Sequence, residues 1–212
     1  MATIYVVRHG KAAAGFGEHA DPGLDALGRA QAAATAQELA PLGPLPVYSS
    51  PLARARETAE PLAALWGTTI TIEPRVTEIP TPNQPQAPNQ PQALNQPQAL
   101  NQPQALNQPQ APTQQLVQRS AWLRQAMAGS WSDLDDELQA WRGALVDCVL
   151  SLTSDCVVFC HFIAINVLIG AARDDDRMIL FAPDNGSVTR ISNNDHRFTV
   201  IELGRTSQTH IN

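Results

Sequence analysis

The sequence predicts an α/β fold, a three-layer α/β/α sandwich around a mainly parallel sheet, in a single domain over residues 1–212. The length of 212 residues suits one domain with a complete hydrophobic core, and 43% of the residues are apolar. Short apolar runs rich in β-branched residues alternate with longer Ala-rich stretches. This alternation is typical of parallel strands covered by helices on both faces of a sheet.

The first part of the chain contains three predicted strands and two predicted helices. The strands are residues 3–7, 47–49 and 69–72, and the first helix is residues 24–39. The second helix starts at Ser50 and runs to about Trp66. Ser50 is the predicted N-cap of that helix and Pro51 its first residue, which are favoured positions for these residue types.

The last part of the chain continues the alternation and then closes with strands. Residues 116–127 and 134–152 are predicted helices separated at Gly129, and residues 157–160 are a fully apolar strand. A buried helix over residues 163–171 follows. Three closing strands are predicted at residues 178–182, 187–191 and 199–203.

A tandem repeat over residues 83–112 interrupts this pattern. The hexapeptide Asn-Gln-Pro-Gln-Ala-(Pro/Leu) occurs five times without a single charged residue. A proline in every repeat prevents a long helix and regular strand pairing, so disorder or polyproline II is expected. The favoured interpretation is a tandem duplication tolerated in a surface loop. The alternative is a docking strip, because the period of six would align Leu94, Leu100 and Leu106 on one polyproline II face.

Composition excludes several classes of function. The net charge of −6 argues against a nucleic-acid-binding surface. The longest apolar stretch, residues 156–172, is interrupted by His161 and Asn166 and does not predict a membrane span. Without a signal-peptide pattern at the N-terminus, the expected location is the cytoplasm. Cys148, Cys156 and Cys160 have no disulfide or zinc-site spacing and are expected to be buried thiols.

Residues that can take part in catalysis or bind a ligand follow four of the predicted strands. Arg8-His9-Gly10 follows the first strand, Arg54 lies in the first turn after the second, Glu78 comes after the third, and His161 ends the strand at 157–160. Ligands of open α/β sheets bind outside the carboxyl ends of the strands. A histidine in that place can act as a nucleophile, a general base or a metal ligand, and an arginine beside it indicates an anionic partner, a phosphate or a carboxylate.

These motifs resemble the histidine phosphatase superfamily, which includes the cofactor-dependent phosphoglycerate mutases. The resemblance rests on Arg-His-Gly, on the Ser-Pro-Leu-x-Arg-Ala-x-x-Thr-Ala block at residues 50–59, and on the later Glu and His. It implies that His9 becomes phosphorylated, that Arg8, Arg54 and His161 hold the phosphoryl group, and that Glu78 is the proton donor. The chain departs from the pattern in having Lys11 and Ala12 after the first motif and Phe162 after His161.

The chemistry of phosphoryl transfer agrees with these implied roles. The transferred group spreads negative charge over three oxygens, which two guanidiniums and an imidazole can stabilise without a metal or another cofactor. The resulting prediction is a metal-independent phosphomonoesterase acting on a phosphorylated small molecule or phosphoprotein. Two alternatives remain, a phosphoglycerate-type mutase and a non-catalytic phosphate-binding scaffold that uses the repeat. Glu18 and Asp21 remain alternative acids to Glu78.

Overall fold

A six-stranded sheet with the order β3-β2-β4-β1-β5-β6 forms the centre of the protein. The computed structural model describes residues 1–14, 21–80 and 121–206. Strands β1 to β4 are mutually parallel, whereas β5 pairs antiparallel with β1 and β6 antiparallel with β5. The strands are β1 (Ala2–Arg8), β2 (Val47–Ser49), β3 (Ile70–Ile72), β4 (Cys156–Cys160), β5 (Val188–Asn194) and β6 (Arg197–Glu202).

Helices cover both faces of this sheet. They are α1 (Ala26–Leu39), α2 (Ala53–Trp66), α3 (Asp136–Leu150) and α4 (Phe162–Arg173), and residues 121–126 are also helical. The predicted mixed α/β fold with a mainly parallel sheet is therefore confirmed. No helix within the described ranges is both long and apolar enough to cross a membrane.

Alternating side chains of the central strands separate the core into two halves. Ile4 and Val6 of β1 belong to a buried cluster with side chains of α3 and α4, whereas Val7 belongs to a cluster with side chains of α1 and α2. In β4, Val158 and Phe159 divide between the same two clusters. Because successive side chains of a strand point to opposite faces, the two helix pairs lie on opposite sides of the sheet. This arrangement gives the three predicted layers.

The predicted strand at residues 178–182 is wrong. This segment contains no strand, and its backbone amides bind a side chain of α4 and not a neighbouring strand. The amides of Leu180 and Phe181 donate to Oδ1 of Asn166 in α4, at 2.8 and 3.1 Å. The apolar residues of the segment are thus packed against the helix layer. Asn166, one of the two polar residues that interrupt the apolar stretch at 156–172, therefore holds this segment against α4.

The predicted N-cap of α2 is also wrong. The N-cap residue is Leu52, without a side-chain capping bond, and Pro51 precedes the helix. Ser50 lies in the connection from β2, where its Oγ accepts a hydrogen bond from the Leu52 amide at 3.2 Å. The hydroxyl is directed to the functional site described below and not to the first turn of the helix.

The three cysteines are buried free thiols, as expected. Burial raises the pKa of Cys148 to about 11 and the pKa of Cys156 to about 12, so both stay protonated at neutral pH. The repeat at 83–112, with its expected disorder, and the alternative acid Glu18 lie outside the described residues.

Candidate active site

The site lies at the carboxyl edge of the sheet, where three neighbouring parallel strands end together. The backbone amide of His9, just after β1, donates to the carbonyl of Cys160 at the end of β4 at 3.1 Å. The amide of Ser50, just after β2, donates to the carbonyl of Phe159 at 3.0 Å. The strand pairing therefore brings His9, Ser50 and His161 side by side, although more than a hundred residues separate the last two.

Four of the predicted site residues meet at this edge. Nε of Arg54 lies 3.2 Å from Nε2 of His9, and the ring centroids of His9 and His161 are 5.1 Å apart. Nδ1 of His161 lies 4.0 Å from Oε2 of Glu78. The sequence thus predicted the membership of this cluster, and the structure adds the order Arg54, His9, His161, Glu78.

The imidazole of His9 is held with its unprotonated nitrogen facing Arg54. Its Nδ1 lies 2.7 Å from the carbonyl oxygen of Gly10, so Nδ1 carries the proton and donates it to that oxygen. The other nitrogen, Nε2, then has a lone pair and accepts from Arg54. Asn185 supports the backbone here, because its Nδ2 donates to the carbonyl of His9 at 2.9 Å.

Thr58 connects Arg54 to the loop that carries His9. Its Oγ1 donates to the carbonyl of Arg54 at 2.6 Å, one turn earlier in α2, and accepts from the amide of Gly10 at 2.9 Å. The side chain of Arg54 is buried, whereas Arg56 on another face of α2 is exposed. The sequence preference for Arg54 over Arg56 as the site arginine agrees with this burial.

Arg8 reaches the site from the end of β1 and lies over an aromatic ring. Its Cζ is 5.0 Å from the centroid of the Phe162 ring, and Nη1 donates to the carbonyl of Pro183 at 2.7 Å. Its Nε is buried and has no hydrogen-bond partner among the described residues. Phe162, which departs from the family pattern at the position after His161, therefore packs beneath the guanidinium of Arg8.

His161 is fully buried at the N-terminal end of α4, where it is the N-cap residue. Its Nε2 lies 2.8 Å from Oγ of Ser50. Its Nδ1, on the side of Glu78, has no hydrogen-bond partner among the described residues. Sequence reasoning missed the contacts of Ser50, Thr58 and Asn185; the position of Ser50 directly after a strand was the available signal for the first.

Both histidines are neutral in this surrounding. Burial lowers the pKa of His9 well below its usual value of 6.5, and the charges of Arg54 and Arg8 lower it further. Burial also lowers the pKa of His161, with added contributions from His9, Arg54 and Arg8. The site thus combines two neutral imidazoles with two cationic guanidiniums, which favours an anion and keeps Nε2 of His9 unprotonated, as a nucleophile requires.

Two carboxylates lie near this positive cluster. Oε1 of Glu78 accepts from the amide of Ile79 at 3.0 Å, and its side chain is only 11% exposed. Oδ1 of Asp21 accepts from the amide of Ala53 at 2.9 Å and lies 4.0 Å from Nη1 of Arg54. Glu78 is thus on the His161 side of the site and Asp21 is on the Arg54 side.

Within the ranges that the structure describes, no group of three or more His, Cys, Asp or Glu side chains is arranged to hold a metal ion. The guanidiniums of Arg8 and Arg54 at the strand ends suit an anionic ligand. Comparison with known families agrees with this character. A model described as histidine phosphatase superfamily (branch 1) matches residues 4–206.

The chain belongs to the histidine phosphatase superfamily. Membership indicates catalysis of the phosphatase or mutase type. The match runs from β1 to beyond β6 and includes every site residue described above.

Solved structures of phosphatases share this superfamily fold. A mycobacterial glucosyl-3-phosphoglycerate phosphatase in complex with VO3 has a TM-score of 0.66 at 21% identity, covering 98% of this chain and 100% of that one. A phosphoserine phosphatase from Entamoeba histolytica in complex with 3-phosphoglyceric acid has a TM-score of 0.64 at 17% identity, covering 98% of each chain. A putative alpha-ribazole-5'-P phosphatase from Escherichia coli has a TM-score of 0.66 at 19% identity, covering 97% of this chain and 98% of that one.

Proposed function

We propose that this protein is a metal-independent phosphomonoesterase that works through a phosphohistidine on Nε2 of His9. The observation that carries the proposal is the unprotonated Nε2 of His9, whose lone pair faces the guanidinium of Arg54 and accepts a hydrogen bond from its Nε at 3.2 Å. A neutral, oriented imidazole is a nucleophile, and an adjacent guanidinium binds the phosphoryl oxygens that it attacks. Arg8 has a buried Nε without a partner among the described residues, which suits a second phosphate contact.

The first step transfers the phosphoryl group to the protein. Nε of Arg54 transfers its hydrogen bond from Nε2 of His9 to a phosphoryl oxygen, which releases the lone pair of Nε2. That lone pair attacks phosphorus, the N–P bond forms, and the bond from phosphorus to the ester oxygen breaks. Glu78, as a carboxylic acid, gives its proton to the leaving oxygen, which departs as an alcohol. Arg8 and Arg54 stabilise the charge on the three equatorial oxygens during the transfer, and His161 contributes a neutral donor.

The second step returns the protein to its starting state. Water attacks the phosphorus of the phosphohistidine, and the carboxylate of Glu78 takes its proton. The N–P bond breaks, inorganic phosphate leaves, and Nε2 of His9 regains its lone pair. The same carboxyl group thus acts as acid and then as base, and no proton is gained or lost over the cycle.

We propose an alkyl phosphomonoester as the substrate class. Glucosyl-3-phosphoglycerate, phosphoserine and alpha-ribazole-5'-phosphate, which appear in the names of the similar structures, are all of this class. An alkoxide is a poor leaving group, so it requires the proton of an acid. Glu78, largely buried beside His161, suits that role.

The test of the nucleophile combines activity with detection of the intermediate. His9→Gln should lower turnover by several orders of magnitude and remove the acid-labile phosphate from the peptide that contains residue 9. Arg54→Gln should lower kcat/KM by about 100-fold or more. Arg56→Gln, an exposed arginine on the same helix, is the matched control and should leave activity unchanged. Undiminished phosphate release by His9→Gln would refute the proposal.

The test of the acid uses two kinds of leaving group. Glu78→Gln should reduce kcat for alkyl phosphates by about 100-fold or more, and much less for aryl phosphates, because an aryl oxide leaves with little help from an acid. Asp21→Asn is the competing variant. If Asp21→Asn shows the alkyl-selective loss and Glu78→Gln does not, the acid is Asp21.

A further inference from the structure

The hydroxyl of Ser50 has a hydrogen that needs an acceptor. Ser50 is fully buried, and its Oγ already accepts a hydrogen bond from the amide of Leu52 at 3.2 Å. The other contact of Oγ is Nε2 of His161, at 2.8 Å. A buried hydroxyl without an acceptor for its hydrogen is unfavourable, so the direction of the second hydrogen bond matters.

Two directions are possible for this bond. If Nε2–H of His161 donated to Oγ, the hydroxyl would receive two hydrogen bonds, and its own hydrogen would have no acceptor among its contacts within the described residues. If the hydroxyl donates to Nε2, both hydrogen-bonding requirements of Ser50 are met. The second direction leaves a neutral imidazole with its single proton on Nδ1.

We infer that Ser50 is a positioning residue that fixes the tautomer of His161, holding the proton on Nδ1. Nδ1 is buried, has no hydrogen-bond partner among the described residues, and faces the Glu78 side of the site. The Nδ1–H group is therefore a donor without a hydrogen-bond partner among the described residues, on the side of the site where we propose that Glu78 delivers its proton. It can bind a phosphoryl oxygen as soon as one arrives, without a proton first moving between ring nitrogens.

Loss of the hydroxyl would remove this preference. The proton could then move to Nε2, and Nδ1 would present a lone pair to anionic oxygens, which repels them. The low pKa of His161 makes this choice important, because the ring stays neutral and cannot carry a proton on both nitrogens at neutral pH. The effect on turnover rests on the proposed function, whereas the tautomer itself does not.

The tautomer can be measured directly in the full-length protein. Two-bond ¹H–¹⁵N correlation spectra of protein labelled at histidine distinguish Nδ1–H from Nε2–H imidazole, and His161→Gln identifies the resonances of this ring. We expect the Nδ1–H pattern at pH 7 in the wild type. An Nε2–H pattern in the wild type would overturn the inference, whatever activity the protein has.

Variants connect the tautomer to function. Ser50→Ala should shift the spectrum of His161 towards the Nε2–H form. It should also lower kcat and raise the inhibition constant of orthovanadate, each by about 10- to 100-fold, which corresponds to the loss of a hydrogen bond to a charged group. Ser50→Thr keeps the hydroxyl and should retain the Nδ1–H pattern and most of the activity. Ser49→Ala is the matched control, since it removes a neighbouring buried hydroxyl whose Oγ donates to the backbone carbonyl of Ser50 at 2.9 Å.

The measurements separate this inference from the proposed function. Suppose that the wild type shows the Nδ1–H pattern but releases no phosphate from any monoester. This result would contradict the proposed function and support the tautomer assignment. An active Ser50→Ala variant with an unchanged His161 spectrum would overturn the role of Ser50. Thermal unfolding of each variant shows whether a loss of activity reflects a loss of folding.

Discussion

Two glycines in helices should respond in opposite ways to the same substitution. Gly28 lies in the first turn of α1, where an added Cβ would meet the carbonyl oxygen of Lys11 at 2.1 Å and its amide nitrogen at 2.9 Å. Gly143 lies within α3, where an added Cβ would meet no other atom within 4 Å. Replacement by alanine therefore tests the close approach at Gly28 against an otherwise similar change.

The expected magnitudes follow from propensity and packing. Alanine is favoured over glycine by about 1 kcal/mol within a helix, so Gly143→Ala should stabilise the fold by about 0.5–1 kcal/mol. At Gly28 the backbone of Lys11 would have to move by about 1 Å to reach ordinary contact, and overpacking of this kind costs about 1–3 kcal/mol or more. We expect Gly28→Ala to lower the free energy of unfolding by about 2 kcal/mol after the gain in propensity, and Tm by about 4–8 °C.

Gly28→Ala should also lower activity, because α1 holds the loop that follows the proposed nucleophile. The amide of Asp25 donates to the carbonyl of Lys11 at 3.0 Å, and the amide of Lys11 donates to Oε1 of Gln31 at 2.8 Å. Pushing Lys11 away would displace Gly10, whose carbonyl orients His9. Urea unfolding and kcat for a generic phosphomonoester measure both effects. Equal or higher stability of Gly28→Ala would show that the contact with Lys11 relaxes freely, which would contradict this prediction.

Three further outcomes are expected. Phe162→Leu should raise KM and the inhibition constant of orthovanadate by about 3- to 30-fold through loss of the cation–π contact with Arg8, and Phe162→Tyr should largely keep the wild-type values. The pKa values of His9 and His161 are depressed in the folded state, so below pH 6.5 the unfolded chain binds protons that the folded protein does not. Their contribution to stability is therefore present above pH 6.5, and below that pH the free energy of unfolding falls by up to about 1.4 kcal/mol per pH unit for each histidine. Urea unfolding between pH 5 and 8 checks this, and a stability that is constant or rises towards pH 5 would contradict it. Phosphate release should survive excess EDTA, and a loss restored by a divalent ion would move the chemistry to a metal-assisted mechanism.

The sequence could predict the membership of the site because strand ends are local features. Each of His9, Arg54 and His161 closely follows a short apolar run, and parallel pairing of those runs brings their ends to one edge. No distant contact had to be known for this step. The two-sided burial of the central strands was also predictable, because they are nearly continuous apolar sequences.

Features that depend on distant partners were not predictable. Residues 178–182 have the composition of a strand, but the amide oxygen of Asn166 binds their backbone and the sheet does not. Ser50 has the local signature of an N-cap, but its hydroxyl contacts His161, which follows β4 and lies 111 positions later in the chain. In both cases a tertiary hydrogen bond overrides a correct local preference, since local sequence does not encode the partner.

Arg8 and Arg54 explain the neutrality of the proposed nucleophile and favour an anionic ligand in the same site. Their charges, added to burial, lower the pKa of His9, which keeps the lone pair on Nε2 at neutral pH. The same burial disfavours the guanidiniums themselves and lowers their pKa, although arginine retains its charge. The carboxylates of Glu78, Asp184 and Asp21 offset part of this buried positive charge, and a phosphoryl dianion bound at the site would offset more of it. A lysine that lost its proton on burial would fail in both respects, so the chemistry proposed here requires a cation that cannot be titrated away.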